Sequence, residues 1–224
     1  MAIQTTEAFV LNRKDLRETS ILATFYSKDF GKIKGILKGI RAERSKYGSL
    51  AELFSLNKIV FYEKTKSEFN NITQCDLIDG FFGIRKDLSA LAHATYLVEL
   101  VDAMTEPNEK NAEVYELLYR SFKLLSAGED ANKIARIFEV RLLSSLGFAP
   151  SEDPRTQMVR RGTVQTLNHL QNAKLDALLK FKISRSIEEE LDLLVNKLLE
   201  SHLERPVKSK KFLREIQRLK RRFA

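Results

Sequence analysis

The sequence predicts an α+β chain, with an OB-type β-barrel over residues 1–80 followed by an all-α region over 81–224. Three observations predict it. As far as Ile78, apolar and β-branched residues come in short alternating runs. From Ile84 onward the apolar spacing turns helical, at intervals of three and four. The third is charge: the last twenty residues hold nine lysines or arginines and one acid, which accounts for the whole chain's net +8. Before them, residues 1–80 carry 13 bases and 10 acids, and 81–204 carry 16 and 19. An acidic stretch thus lies between two basic ends, a distribution that argues for a partner rather than for solubility alone.

The β elements follow in order. Ala8, Phe9, Val10 and Leu11 form a first apolar run, and residues 20–26 mix β-branched with aromatic side chains. Lys28, Asp29, Phe30 and Gly31 suit a turn. The stretch 31–48 then sets Lys32 and Lys34 against Ile33, reading as a strand with one wet face, and continues into a polar loop bearing Lys38, Arg41, Arg44 and Lys46. Glycines at 31, 35 and 39 let another backbone approach or let the strand bend. Further runs at 53–63 and 71–78 complete five short strands, joined by the polar residues 64–68. Lysines on a strand face beside a basic loop make an electropositive groove suited to a polyanion. Lysine also serves to keep a sheet edge soluble, and the stretch alone leaves both roles open.

The helical elements are as regular. Leu91, Val98, Leu100 and Val101 leave the first helix little polar face, so it is central, and Pro107 ends it. Asn108 or Asn111 caps a second helix that Gly128 closes; a third ends at Gly147 with Pro150 beyond. Residues 151–162 are polar and aperiodic, a surface loop. A weaker helical pattern spans 164–181, and Ser186 with Glu189 reads as a capping box for the next helix. After Pro206, Phe212, Ile216, Leu219 and Phe223 form a narrow apolar stripe with Ser209 as N-cap. Lys208, Lys210 and Lys211 crowd its first turn, where the helix dipole disfavours cations, so the pattern suits a compensating anion, a phosphate on free N–H groups, with a frayed, solvated basic tail as the alternative.

Catalytic chemistry is not in evidence. There is no Walker A sequence, and His93, His169 and His202 fall on separate helices as packing or surface residues. Glu188, Glu189 and Glu190 are explained by capping, and Cys75 as a small buried residue. The single cysteine excludes an internal disulfide or a cysteine-rich zinc site. The reading is a non-enzymatic protein with no metal and no cofactor. With no apolar run of membrane-span length and no secretory signal at the start, a cytoplasmic, nucleoid-associated location is expected.

Five segments in order resemble the bacterial recombination mediator family RecO. They are Ala8 to Arg13 with Glu18 to Leu22; Gly31-Lys32 with Lys38-Gly39-Ile40-Arg41; Leu97-Val98-Glu99-Leu100-Val101-Asp102; Phe138-Glu139-Val140-Arg141-Leu142-Leu143 with Leu146-Gly147-Phe148-Ala149-Pro150; and Arg205-Pro206-Val207-Lys208-Ser209 with Phe212-Leu213. The resemblance implies a DNA-binding protein that takes single- and double-stranded DNA and anneals complementary strands. It also implies work with RecR to load RecA on DNA coated by single-strand-binding protein (SSB), and contact with the SSB C-terminal tail. Many members carry four zinc-ligating cysteines after the "LGxxP" run; residues 151–162 have none.

The expected DNA contacts are Lys34, Lys38, Arg41, Arg44 and Lys46, with Arg13 and Lys14, on the barrel. Arg205, Lys208, Lys210, Lys211 and Arg214 form a second set on the closing helix. Tyr26, Tyr47 or Tyr62 could stack on bases, or equally pack in the core. Two cationic surfaces let one protein hold two strands and screen their repulsion. An RNA-binding OB module, or a scaffold for an acidic partner, carries the same charges and stands as the alternative.

Overall fold

Five strands whose residues alternate between core and surface close on themselves in the computed structural model. It describes residues 2–16, 20–38, 51–63, 67–203, 205–213, 215 and 216, with backbone only at Asp176. The strands are β1 (Ile3–Leu16), β2 (Ser20–Ser27), β3 (Gly31–Leu37), β4 (Leu56–Tyr62) and β5 (Asn70–Asp79). They form a closed barrel in the order β1-β2-β3-β5-β4. Neighbours are antiparallel except β3 and β5, which run parallel with Gly35 opposite Asn70 and Leu37 opposite Ile72. At that crossing, a Cβ on Gly35 would lie 2.4 Å from the Ile72 side chain, so a larger residue requires that side chain to shift. Val10, Phe25, Ile33, Ile59 and Phe61 fill the interior, each contributing roughly 1.5–3 kcal/mol by leaving water.

The barrel recruits one later segment. Thr105–Tyr115 clusters with residues 1–82, whereas 83–104 and 116–224 form a second unit. Gly31 makes the recruitment possible. Its φ is +62°, and an added Cβ would meet the Glu109 carbonyl oxygen at 1.9 Å. Two backbones therefore touch where a side chain would stand. The close backbone approach expected of the glycines is realised here; at Gly35 the near neighbour is the Ile72 side chain.

The second unit is helical: α1 (Leu88–Met104), α2 (Ala112–Ser126, whose first turn belongs to the barrel unit), α3 (Ala131–Ser145), α4 (Arg161–Asn172), α5 (Leu175–Lys180) and α6 (Arg185–His202). Residues 209–213, 215 and 216 are also helical. α1 is buried on most sides, as its composition requires. Asn111 caps α2, its side-chain oxygen accepting from the Glu113 and Val114 N–H groups at 3.1 and 3.2 Å. Gly128 and Gly147 take positive φ after α2 and α3. The pattern over 164–181 resolves into two helices, broken at Ala173.

The "FExRLL" run has mechanical work in this unit. Glu139 accepts hydrogen bonds from Tyr96 and Arg136, both at 2.6 Å, and Arg136 also pairs with Asp192. Although burial opposes its charge, Glu139 and Asp192 raise the Arg136 guanidinium above its ordinary pKa. Arg141 donates to the carbonyls of Leu170 (3.0 Å) and Ala173, closing the C-terminus of α4 with a cation.

One expectation is corrected. The α6 helix starts at Arg185 with Ser184 as N-cap, and no side chain caps it, so the capping box at Ser186 does not form. The acids there act elsewhere: Glu189 pairs with Arg185 at 3.0 Å, and Glu190 accepts from Thr163 Oγ1 at 2.6 Å and the Arg160 N–H at 3.1 Å. The 151–162 loop contains neither thiol nor imidazole, a donor set that does not fit zinc. It is organised instead by Asp153, which holds the Arg155 guanidinium at 2.8 and 3.0 Å, while Arg155 reaches Ser201 on α6 at 3.3 Å.

Candidate nucleic-acid interface

Register decides which side chains share a face, because directly paired residues in adjacent strands point the same way. Three rows cross the outside of β1, β2 and β3: Phe9–Tyr26–Lys32, Asn12–Thr24–Lys34 and Lys14–Leu22–Ile36. The first row is covered. Tyr26 is fully buried and Lys32 only 8% exposed. Above them, the Asn108 N–H donates to the Lys32 carbonyl at 2.9 Å, Tyr26 donates to the Asn111 carbonyl at 3.4 Å, and the Phe9 and Tyr115 rings lie 5.2 Å apart. Burial, and then the charge of Glu109, pushes the Tyr26 phenol up to about 12.

Two expectations change with that row. The β3 strand has a wet face at Lys34 but not at Lys32. Tyr26 cannot stack on a base, since the 105–115 segment occupies its place. Tyr62 is half-buried, and Tyr47 lies outside the described residues.

The other two rows are open. Lys14 is exposed on the outer face, and Lys38 is exposed just beyond β3. Neither has an ion pair among the described residues. Lys34 pairs with Glu68, and Arg13 pairs with Glu52 at 2.7 Å. Thr24 and Asn12 add neutral hydrogen-bonding groups between the lysines; strand parity is the signal that would have found them. Arg41, Arg44, Lys46 and Arg214 lie outside the described residues.

The terminal set differs from expectation. The Lys208 and Ser209 N–H groups both donate to the Glu99 carboxylate, each at 2.8 Å. The compensating anion is therefore Glu99 of α1, and no free N–H pair awaits a phosphate there. Burial opposes its charge, yet hydrogen bonds from Ser209 and Lys208 and the nearby Arg205 keep Glu99 below the usual carboxylate range. One turn along α1, Asp102 meets Arg205 at 3.2 Å, and Glu200 of α6 lies 3.7 Å from Lys210. Lys208 and Lys211 are exposed. Thus the "LVELVD" and "RPxKS" motifs are partners in space.

The three histidines each have a partner within the fold. His93 contacts the Ser89 carbonyl at 2.7 Å, His202 stacks on Phe148 at 3.8 Å, and His169 lies 4.6 Å from the Phe181 ring. Burial pushes the Cys75 thiol up to about 12. Among the described residues, no group of histidines, cysteines and acids is placed to hold a metal, and no helix is long and apolar enough to cross a membrane.

The family model for the recombination protein O N terminal matches residues 1–81, and that for its C terminal matches 85–158 and 151–211. The chain belongs to the RecO family. Its relatives include the DNA repair protein RecO of Moorella thermoacetica, 29% identical over 94% of this chain and 90% of the relative. The DNA repair protein RecO of Acetivibrio thermocellus is 24% identical over 96% and 98%. That of Syntrophus aciditrophicus is 32% identical over 68% of this chain, a match spanning 59% of the relative. In this RecO-family chain, an OB-type barrel precedes a helical region, the fold class expected from the sequence.

Proposed function

We propose that this chain is a non-enzymatic, DNA-binding recombination mediator acting in recombinational DNA repair. It binds single- and double-stranded DNA, anneals complementary strands and, with RecR, promotes RecA loading on SSB-coated DNA. The observation that carries the reading is the open pair of rows on β1, β2 and β3. Lys14 stands on one of them and Lys38 just beyond β3, neither ion-paired among the described residues, with Lys34 on the other row, on a barrel of the OB type in a RecO-family chain. Lysines spaced along a strand face neutralise successive phosphates, and each neutralised phosphate on a single strand lowers log affinity by about 0.7 per decade of salt.

The proposed SSB partner has a fitting surface. A cavity of about 410 Å³ has Leu199, Leu203 and Val207 among its lining residues, together with Arg205, Lys210 and Lys211. Apolar and cationic groups side by side suit an acidic, apolar tail.

The test is binding of a labelled single-stranded oligonucleotide across a salt series, with wild type and Lys14→Glu/Lys38→Glu. A steep salt slope in wild type, with affinity lowered about ten-fold or more in the variant, is expected. A flat salt response overturns the reading. Competition between matched RNA and DNA oligonucleotides separates DNA binding from the RNA alternative. A strand-annealing assay with and without the last 20 residues tests the contribution of the terminal basic segment.

A further inference from the structure

Around residues 205–211, carboxylates already occupy three places where a phosphate would bind. Asp102 faces Arg205 at 3.2 Å, Glu200 faces Lys210 at 3.7 Å, and Glu99 takes the backbone N–H groups of Lys208 and Ser209. The acids sit on two rigid helices, Glu99 and Asp102 three residues apart on α1 and Glu200 on α6. Val207 and Ser209 are buried, which seats the segment against those helices. Arg205 stays largely exposed despite its partner, so an incoming anion has access to it.

We infer that Asp102 and Glu200 are built-in competitors of DNA, holding the terminal cations partly neutralised until a phosphate displaces them. This rests on the DNA-binding reading above and adds a regulation to it. Each pair has one largely exposed partner, Arg205 in one and Glu200 in the other, so the exchange of one anion for another takes place in contact with water, where ion pairs contribute little. The segment then distinguishes a dense polyanion, which replaces both carboxylates together, from scattered small anions. Glu99 is different in kind. It binds backbone N–H groups and fixes where the segment sits, so it positions the cations whether or not DNA is bound.

The experiment measures single-stranded DNA affinity at low salt for wild type, Asp102→Asn, Glu200→Gln and the double variant. Glu189→Gln on α6, whose carboxylate pairs with exposed Arg185 at 3.0 Å, controls for loss of one negative charge. Thermal melts of every variant confirm the fold. Asp102→Asn and Glu200→Gln are expected to tighten binding about two- to five-fold each, and the double variant about ten-fold. Glu189→Gln is expected to change little. If wild type binds DNA and the two variants bind no tighter than Glu189→Gln, the competition is overturned while the DNA-binding reading stands. If wild type ignores DNA, both fall.

Discussion

The barrel and the terminal segment treat cations in opposite ways. On the barrel, Lys14 on β1 and Lys38 just beyond β3 are exposed with no ion-paired acid among the described residues. On the terminal segment, Arg205 and Lys210 face acids, and a third carboxylate grips the backbone between them. The same residue types therefore give a surface ready for a polyanion in one place and a fastening in the other. Local composition does not distinguish the two; what distinguishes them is whether distant helices bring carboxylates.

The largest effect should come from the seam beneath the barrel's covered row. Gly31→Val places a side chain against the Glu109 carbonyl and forces a branched residue to positive φ. Each fault costs about 1–3 kcal/mol, and denaturant unfolding should register a loss of several kcal/mol. If the variant is as stable as wild type, the 105–115 segment is not seated there.

Next is the contrast between the two cation sets. Lys14→Glu should weaken DNA binding more than Arg205→Glu, because Arg205 starts from a neutralised pair. Side-by-side titrations at one salt concentration decide it, and the reverse order would break the comparison.

A smaller effect concerns Glu99. Glu99→Gln should destabilise the helical unit by about 1 kcal/mol, the usual size of a lost cap. The sign with pH follows from its depressed folded-state pKa. The stabilisation is present above the unfolded carboxylate value, about 4.3, and is lost as pH falls through the lower folded one. Wild type and variant should therefore differ at neutral pH and converge in acid. A gap that persists in strong acid would show that Glu99 acts by shape rather than charge.

The least perturbing test is chemical. Cys75, buried and with its thiol pushed up to about 12, should resist alkylation at neutral pH until the barrel unfolds.

Much of this architecture is legible in the chain because it is local. Strand alternation around Ile33 and Ile59, the asparagine cap at Asn111 and the stops at Gly128 and Gly147 depend on residues a few positions apart. What escaped depends on long reach. Lys32 looks like a solvated strand residue until a segment more than seventy positions later covers it. The basic first turn of the terminal helix correctly signals a missing anion. That anion is an acid more than a hundred residues upstream, which no local pattern identifies. Glu99 and Asp102, three apart and the only two acids on a helix with no lysine or arginine, are the available clue.

The touch between Gly31 and Glu109 bears on how this polypeptide can be divided. An expression product ending near residue 82 would keep all five strands yet strip the covering from Phe9, Tyr26 and Lys32, leaving aromatic surface bare to water. A minimal version of the β unit must carry Thr105–Tyr115 along, through a tether that bypasses the intervening helix.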